Sequence, residues 1–221
     1  MTSSHSSASR GEPLRAPLSP KKTAHVDTWS REQLPPAAEW PHLVLDGAYA
    51  YPERLNAAVA LLDRALEEGH GPRTALVTPD GAGGWTETTY ADLAARVDAI
   101  AHVLRSDLGL VPGNRVLLRG FNGEWMAAAW LATLKAGMVA VATMPLLRTK
   151  ELSVVIDRAK CQAALCDARL ADELLAATRT KVALWGGDAG RRDDASAVAG
   201  TDIRAEAVSI ERLMHAHAGG A

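Results

Sequence analysis

Apolar residues along the chain alternate between helical spacing and the short runs that are typical of strands. Helical spacing is present in five segments: Leu55–Leu66, Leu93–Leu108, Met126–Leu134, Leu152–Ala159 and Leu170–Ala177. Strands are predicted over six shorter segments: Thr74–Thr78, Trp85–Thr88, Arg115–Arg119, Val139–Ala142, Ala163–Cys166 and Val182–Trp185. This repeated alternation with short turns predicts an α/β fold, a layered sheet flanked by helices.

The segment from Trp130 to Pro145 joins a helix to a strand without a polar interruption. The helix ends at Gly137, and the strand Val139–Ala142 lies directly ahead of Pro145. A unit of this kind is expected in an α/β layer with both faces covered. The strand is therefore predicted to be buried.

Two helix starts are predicted to have side-chain caps. Thr89 followed by Asp92 resembles a capping box, and such a cap contributes about 1 kcal/mol. Asn122 is predicted to cap the next helix, with Trp125 at the edge of the core. The residues of that helix that are predicted to face inward are Met126, Ala127, Trp130, Leu131 and Leu134.

The two ends of the chain lack this regular pattern. Residues 1–39 are predicted to be a disordered tail and linker, rich in Ser, Pro and basic residues at the start, with order beginning near Trp40. Residues 40–187 are predicted to form the α/β subdomain. Residues 188–221 are predicted to be a loop and the end of the chain, with one short helix over Ser209–His215.

Composition excludes several classes of partner. The 24 basic residues are interspersed with 26 acidic ones, and the net charge of −2 gives no reason to expect nucleic acid or an anionic membrane. No apolar run has the length of a transmembrane helix. The two cysteines, Cys161 and Cys166, are predicted to be reduced, packed thiols of a cytoplasmic protein, rather than metal or redox ligands.

Glycine clusters are the first candidates for a phosphate site, because their backbone N–H groups can approach an anion. Gly81-Ala82-Gly83-Gly84 lies between two predicted strands, which favours a hairpin turn. Gly186-Gly187 follows a strand, as a phosphate loop does, but no helical pattern begins directly after it. A nucleotide role for Gly186-Gly187 stays open as the minor alternative.

Ionisable side chains do not form a catalytic or metal-binding pattern. His215 and His217 have no carboxylate or cysteine nearby in sequence and are predicted to be solvated. His70 and His102 have no evident nucleophile to activate. The acidic pair Asp193-Asp194 is predicted to be solvated, with a magnesium site as a minor alternative. No catalytic, cofactor-binding or metal residue is assigned.

Five segments together resemble the adenylate-forming acyl- and aryl-CoA ligases, also called AMP-forming acyl-CoA synthetases. They are Thr88–Leu93, Leu110–Val116, Leu134–Pro145, Tyr51–Asn56 and Met144–Arg148. The last two are most similar to benzoate–CoA and 2-aminobenzoate–CoA ligases. The resemblance covers Trp40 to Gly187 and implies the N-terminal part of the adenylate-forming fold.

The resemblance implies a two-step reaction that uses ATP, Mg²⁺ and coenzyme A. A carboxylate attacks the α-phosphate of ATP, and the CoA thiol then displaces AMP. The family's phosphate loop and later motifs have no counterpart here, so no active-site residue is carried over. Family proteins are more than twice as long. The chain is therefore expected to be an N-terminal fragment, inactive alone, whether truncated, excised or from a misassigned reading frame.

Two other functions remain open. The chain is alternatively a non-enzymatic interaction module, for example half of a split ligase that pairs with a complementing C-terminal chain. It is alternatively an unrelated nucleotide-binding α/β domain. The absence of a glycine fingerprint after any predicted strand disfavours the last of these.

Overall fold

The computed structural model of the protein describes residues 23–40, 50–52, 54–186 and 207–218. Its helices are α1 (Trp29–Glu32), a π-helical segment Val59–Asp63 that continues into α2 (Arg64–Glu67), α3 (Tyr90–His102) with a second π-helical segment Val103–Asp107, α4 (Glu124–Lys135), α5 (Thr149–Ala159), α6 (Ala171–Ala177) and α7 (Ile210–Ala218). Short 3₁₀ segments cover Ala37–Glu39 and Ala168–Leu170. The strands are β1 (Thr74–Pro79), β2 (Trp85–Thr89), β3 (Arg115–Arg119), β4 (Val139–Thr143), β5 (Ala163–Asp167), β6 (Lys181–Trp185) and β7 (Ala207–Ser209).

Five strands form one parallel sheet in the order β4-β3-β5-β6-β7. Helices α3, α4 and α7 contribute side chains to the core on one face, while α5 and α6 cover the other face. Strands β1 and β2 pair as a separate antiparallel hairpin. The predicted α/β sheet flanked by helices is therefore confirmed. No helix in the described ranges is long and apolar enough to cross a bilayer.

Burial is uneven across the sheet. Strands β3 and β5 are buried at every position, as central strands of a covered parallel sheet must be. Strand β4 pairs only with β3 within the described residues and is partly exposed along its length. The prediction of a buried strand at Val139–Ala142 is therefore wrong, because an apolar run does not distinguish an edge strand from a central one.

Helix α4 packs on a side that differs in part from the one predicted: Met126 and Leu131 contact the core as predicted, but the fully buried positions are others. Its buried residues are Ala128, Ala129, Ala132 and Thr133, whereas Trp130 is 46% exposed. The helix is apolar on nearly all sides, so spacing alone did not identify the face in contact with the sheet. Small side chains let α4 approach its neighbours closely, which explains why the alanine side is the buried one.

The two predicted helix caps had different outcomes. Thr89 caps α3 as predicted, since its Oγ1 accepts the backbone N–H of Asp92 at 3.1 Å. The predicted Asn122 cap is wrong: the N-cap of α4 is Gly123, and no side chain bonds there.

The ends of the described chain are more structured than predicted. Within residues 1–39, the part from 23 onward contains α1, and Asp27 bonds to Arg115 at the start of β3. Within residues 188–221, β7 adds a fifth strand to the sheet, and Ile210 at the start of α7 is fully buried. The helix predicted over Ser209–His215 is present as α7 (Ile210–Ala218). Strand β7 was not predicted because three residues are too short to give a pattern. Residues 23–39 contain few apolar side chains and are held by polar bonds such as that from Arg115 to Asp27.

Candidate functional site at the carboxyl ends of the strands

The order of the strands places a topological switch point between β3 and β5. From β3 the chain passes to β4 on one side, and from β4 it returns to β5 on the other. In open parallel sheets, ligands bind in the crevice outside the carboxyl ends of the strands at such a point. Here that crevice lies between the loop Gly120–Gly123 after β3 and the segment Ala168–Leu170 after β5.

A guanidinium group stacks on an aromatic ring at this crevice. The Arg169 guanidinium carbon lies 4.7 Å from the centroid of the Phe121 ring, within cation–π distance. Buried Asp167 holds Arg169 with both carboxylate oxygens, accepting Nε at 2.9 Å and Nη2 at 2.6 Å. Burial favours the neutral acid, but the hydrogen bonds from Arg169 outweigh it and hold the pKa of Asp167 below its ordinary value. The exposed Arg169 side chain is thus fixed in place and charged.

A second arginine holds the walls of the crevice together. Arg119, at the end of β3, is 1% exposed. Its guanidinium donates to the carbonyls of Met144 (3.0 Å), Pro145 (3.1 Å), Leu147 (2.8 Å) and Leu170 (3.3 Å). The loop after β4 and the segment after β5 are therefore fastened to one buried cation.

The floor of the crevice depends on a close approach between Gly120 and the indole of Trp185. A Cβ at residue 120 would lie 2.5 Å from Trp185 Cζ2, which is inside van der Waals contact. Trp185 is buried at the end of β6. Gly120 therefore lets the β3 loop lie directly against the ring.

The described residues at Gly186 do not fit a phosphate group. The Gly186 N–H donates to Glu211 Oε1 at 2.7 Å, so the backbone donor at the end of β6 already has an anionic partner. A carboxylate at this place would repel a phosphate. Gly187 and the pair Asp193-Asp194 lie outside the described residues.

Other sequence candidates have structural roles. The glycine cluster forms the predicted hairpin turn, where Asp80 Oδ1 accepts from Ala82 N and Gly84 N, both at 2.8 Å. Cys161 and Cys166 are buried and form no disulfide. Burial raises the pKa of the Cys161 thiol to about 11, which makes it a poor nucleophile.

One histidine of α7 has a partner that was not predicted. His217 bonds to Asp107 at 2.8 Å, and its ring packs edge-on against His102 with centroids 4.2 Å apart. His217 is exposed as predicted, but the expectation that it has no carboxylate partner is wrong. His215 is exposed, as predicted. Across the described ranges, no three His, Cys, Asp or Glu side chains form a group that could hold a metal ion.

Comparison with known proteins gives the family. Residues 62–209, more than half of the chain, match the sequence profile described as AMP-binding enzyme. The chain belongs to the AMP-binding enzyme family. Benzoate–CoA ligase of Thauera aromatica is 33% identical over 123 residues, which are 56% of this chain and 22% of the relative. A salicyl-AMP ligase of Mycobacterium tuberculosis is 36% identical over 107 residues, 48% of this chain and 15% of that one.

Solved structures of this family have the same fold. An anthranilate CoA ligase in complex with anthranoyl-AMP superposes with a TM-score of 0.60 at 19% identity, over 77% of this chain and 29% of that chain. A benzoate CoA ligase of Burkholderia xenovorans gives a TM-score of 0.56 at 22% identity, over 74% and 29%. The chain thus matches between about a seventh and a third of its relatives' lengths.

Membership in this family rules out an unrelated nucleotide-binding domain. The crevice residues Phe121, Arg119 and Arg169 were not singled out from the sequence. The available signal was their position, because each follows directly on, or ends, a strand that was predicted correctly.

Proposed function

We propose that the chain is the N-terminal portion of an ATP-dependent, AMP-forming carboxylic acid–CoA ligase that acts on an aromatic acid such as benzoate or 2-aminobenzoate. The observation that carries this proposal is the match to benzoate–CoA ligase, 33% identical over a segment that is only 22% of the relative. The described residues supply a sheet and a crevice, and Gly186 is unsuited to phosphate. We therefore propose that this chain alone does not activate a carboxylate.

A first experiment measures ATP–pyrophosphate exchange by the purified chain with benzoate and with 2-aminobenzoate. We expect no exchange above a no-enzyme control, while intact benzoate–CoA ligase of Thauera aromatica serves as the positive control. Robust exchange by the chain would contradict the proposal that it is inactive alone.

A second experiment tests the family role directly. Residues 62–209 replace the matching segment of the Thauera ligase, and exchange is measured on chimeras whose folding is checked by circular dichroism. A folded chimera should retain adenylation of benzoate. A folded chimera without exchange would show that this segment does not serve as the scaffold of an aryl-CoA ligase.

The crevice is the part of this scaffold that we propose to contact a ligand. The exposed Arg169 guanidinium, stacked on the Phe121 ring, offers a fixed positive charge that suits an anionic ligand. In the chimera, Arg169→Ala should raise the KM for ATP or CoA more than Arg179→Ala, a residue near the amino ends of the strands. Equal effects of the two substitutions would count against the crevice.

A second candidate function is half of a split ligase, completed by a separate C-terminal chain. The observation that favours it is the α4 outer surface, which consists of the exposed Trp130 and the half-buried Ala127 and Leu134. A helix that is apolar on all sides is normally covered by another layer. We also propose that the protein is cytoplasmic, because two buried thiols suit a reducing compartment. A role in the breakdown of aromatic acids belongs to the same proposal.

The two candidates differ in what restores activity. The chain is mixed with a Thauera ligase that lacks the matching N-terminal segment. Recovery of exchange, with co-elution of the two chains, supports a split enzyme. Neither recovery nor co-elution, combined with an active chimera, supports a scaffold that works only within one polypeptide.

A further inference from the structure

Residues 23–34, here called the N-terminal clasp, pack against the turn that leads into β3. The backbone N–H groups of Val26 and Asp27 both donate to the carbonyl oxygen of Pro112, at 2.9 and 3.0 Å. This turn lies at the amino end of the parallel sheet, opposite to the crevice. The clasp therefore closes the end of the sheet where no ligand site has been placed.

One carboxylate connects the clasp to three side chains in two separate segments. Asp27 Oδ2 accepts from Arg115 Nη1 at 2.5 Å, from Asn114 Nδ2 at 2.8 Å and from Gln162 Nε2 at 3.3 Å. The Arg115 side chain is 4% exposed, and its guanidinium lies 4.8 Å from the centroid of the Trp29 ring. If the clasp left, a buried cation would lose its carboxylate and its aromatic cover.

The turn is shaped to receive the clasp. Gly113 has a φ of +92°, and a Cβ there would lie 2.1 Å from the Asp27 carbonyl oxygen. Only glycine permits both this backbone conformation and this contact. The close fit leaves no space for an added group or for a rearranged clasp.

A histidine lies inside this tight contact without a polar partner. His25 Nδ1 is shielded from solvent and makes no hydrogen bond. Burial, and then the nearby positive charge of Arg31, lower the pKa of His25 below its ordinary value of 6.5. Asp27 alone acts in the opposite direction, and its charge is already committed to Arg115.

We propose that the clasp is an acid-released latch, which closes the amino end of the sheet at neutral pH and detaches when His25 takes up a proton. The charged groups around His25 are Asp27 and Arg31 of the clasp. Arg115 of β3 binds the Asp27 carboxylate. A protonated His25 in the docked clasp would place a third positive charge beside one carboxylate. Detachment moves His25 into water, where the charge is solvated.

The two titrating groups of the clasp act in the same direction. Because the docked pKa of His25 lies below 6.5, docking weakens as the pH falls below that value. Burial favours neutral Asp27, but hydrogen bonds from Arg115, Trp29 and Asn114 outweigh it and lower the pKa of Asp27 from 3.8. The ion pair between Asp27 and Arg115 is therefore lost only at a pH lower than the one at which His25 takes up its proton. Release begins with His25 and is completed by Asp27.

Hydrogen–deuterium exchange of the full chain, measured by mass spectrometry and corrected for intrinsic rates, tests the latch. Between pH 7.5 and 5.5, protection of the peptide covering residues 23–34 should fall severalfold, with about tenfold as the limit that one imidazole of ordinary pKa 6.5 sets at pH 5.5. Peptides from β3 and β5 should keep their protection. A clasp that stays protected throughout, or that loses protection only together with β3 and β5, would overturn the proposal.

Substitutions assign the effect to the two residues. His25→Gln removes the titrating group and should keep the clasp protected down to pH 5.5, whereas His215→Gln, at an exposed position of α7, should behave as the unmodified chain. Asp27→Asn should weaken protection at every pH. The same loss in His25→Gln as in the unmodified chain would overturn the role of His25, whatever the enzymatic function proves to be.

Discussion

Single residues fix several contacts that have little tolerance for change. Arg119 donates hydrogen bonds to four carbonyls, and Asp27 accepts them from three side chains. Gly113 and Gly120 permit close contacts that any Cβ would block. Such positions couple segments far apart in sequence. We expect substitutions at these positions to lower the free energy of unfolding by more than the change in side-chain size alone would suggest.

Gly113→Ala should be more destabilising than Gly109→Ala. Both glycines have a positive φ, so both substitutions carry a backbone cost of about 1 kcal/mol. Only at Gly113 would the new Cβ meet the clasp, since nothing lies within 4 Å of a Cβ at Gly109. The added clash should cost about 1–3 kcal/mol more in urea unfolding. Equal losses in the two variants would show that the clasp does not press on the turn.

Glu173→Gln should flatten the acid dependence of stability. Hydrogen bonds from the Thr149 side chain and N–H, followed by one from Arg148, lower the pKa of Glu173 to about 2. Its contribution is fully present above the ordinary value of 4.5 and is lost as the pH falls towards 2.

The measurement is the urea midpoint between pH 7 and pH 2.5. The variant should lose stability at pH 7 but decline less steeply below pH 4.5. Glu67→Gln, at an exposed position of α2, is the control and should leave the urea midpoint at pH 7 unchanged. A parallel decline in Glu173→Gln and the unmodified chain would contradict the assignment to Glu173.

At the scale of elements, helix α4 and strand β4 show what the sequence can and cannot predict. The positions of both were predicted within a residue or two, because glycine and proline mark their ends. Which of their side chains are buried was not predicted. A helix that is apolar on nearly all sides has no preferred face, and an edge strand can have the same apolar residues as a central strand. Pairing order, which decides both, depends on contacts between distant segments.

The same limit applies to the candidate site. Phe121, Arg119 and Arg169 follow from predicted strand ends, but their convergence requires β5 to lie beside β3 rather than beside β4. The helix α7 was predicted over Ser209–His215, but its contact with the rest of the chain was not, for another reason. The bond between His217 and Asp107 joins residues 110 apart, which no local pattern indicates.

His217→Ala should loosen α7 from the π-helical segment Val103–Asp107. The pair with Asp107 is partly exposed, so the expected loss of unfolding free energy is about 0.5–1 kcal/mol. His215→Ala, on the same helix but exposed, should have less effect. Thermal unfolding of the two variants at pH 7 makes the comparison, and a larger loss in His215→Ala would contradict this docking of α7.

At the scale of the whole molecule, the α4 outer surface and the edge of β4, which has no second strand partner among the described residues, expose groups that proteins usually cover. The isolated chain is expected to associate at high concentration through one or both of them. Sedimentation velocity should show that Trp130→Glu reduces this association. Trp85→Glu, which changes an exposed tryptophan of the hairpin, is the matched control. A monomeric unmodified chain would count against the split-ligase candidate.

The bond between Asp27 and Gln162 has a consequence for synthesis on the ribosome, because its partners lie 135 residues apart. At about 5–20 residues per second, the clasp emerges roughly 10 s before the last of its partners is translated. During that interval the nascent segment that contains His25 and Trp29 lacks part of its binding surface and is accessible to chaperones and proteases. The clasp can thus complete its contacts only after Gln162 has been translated.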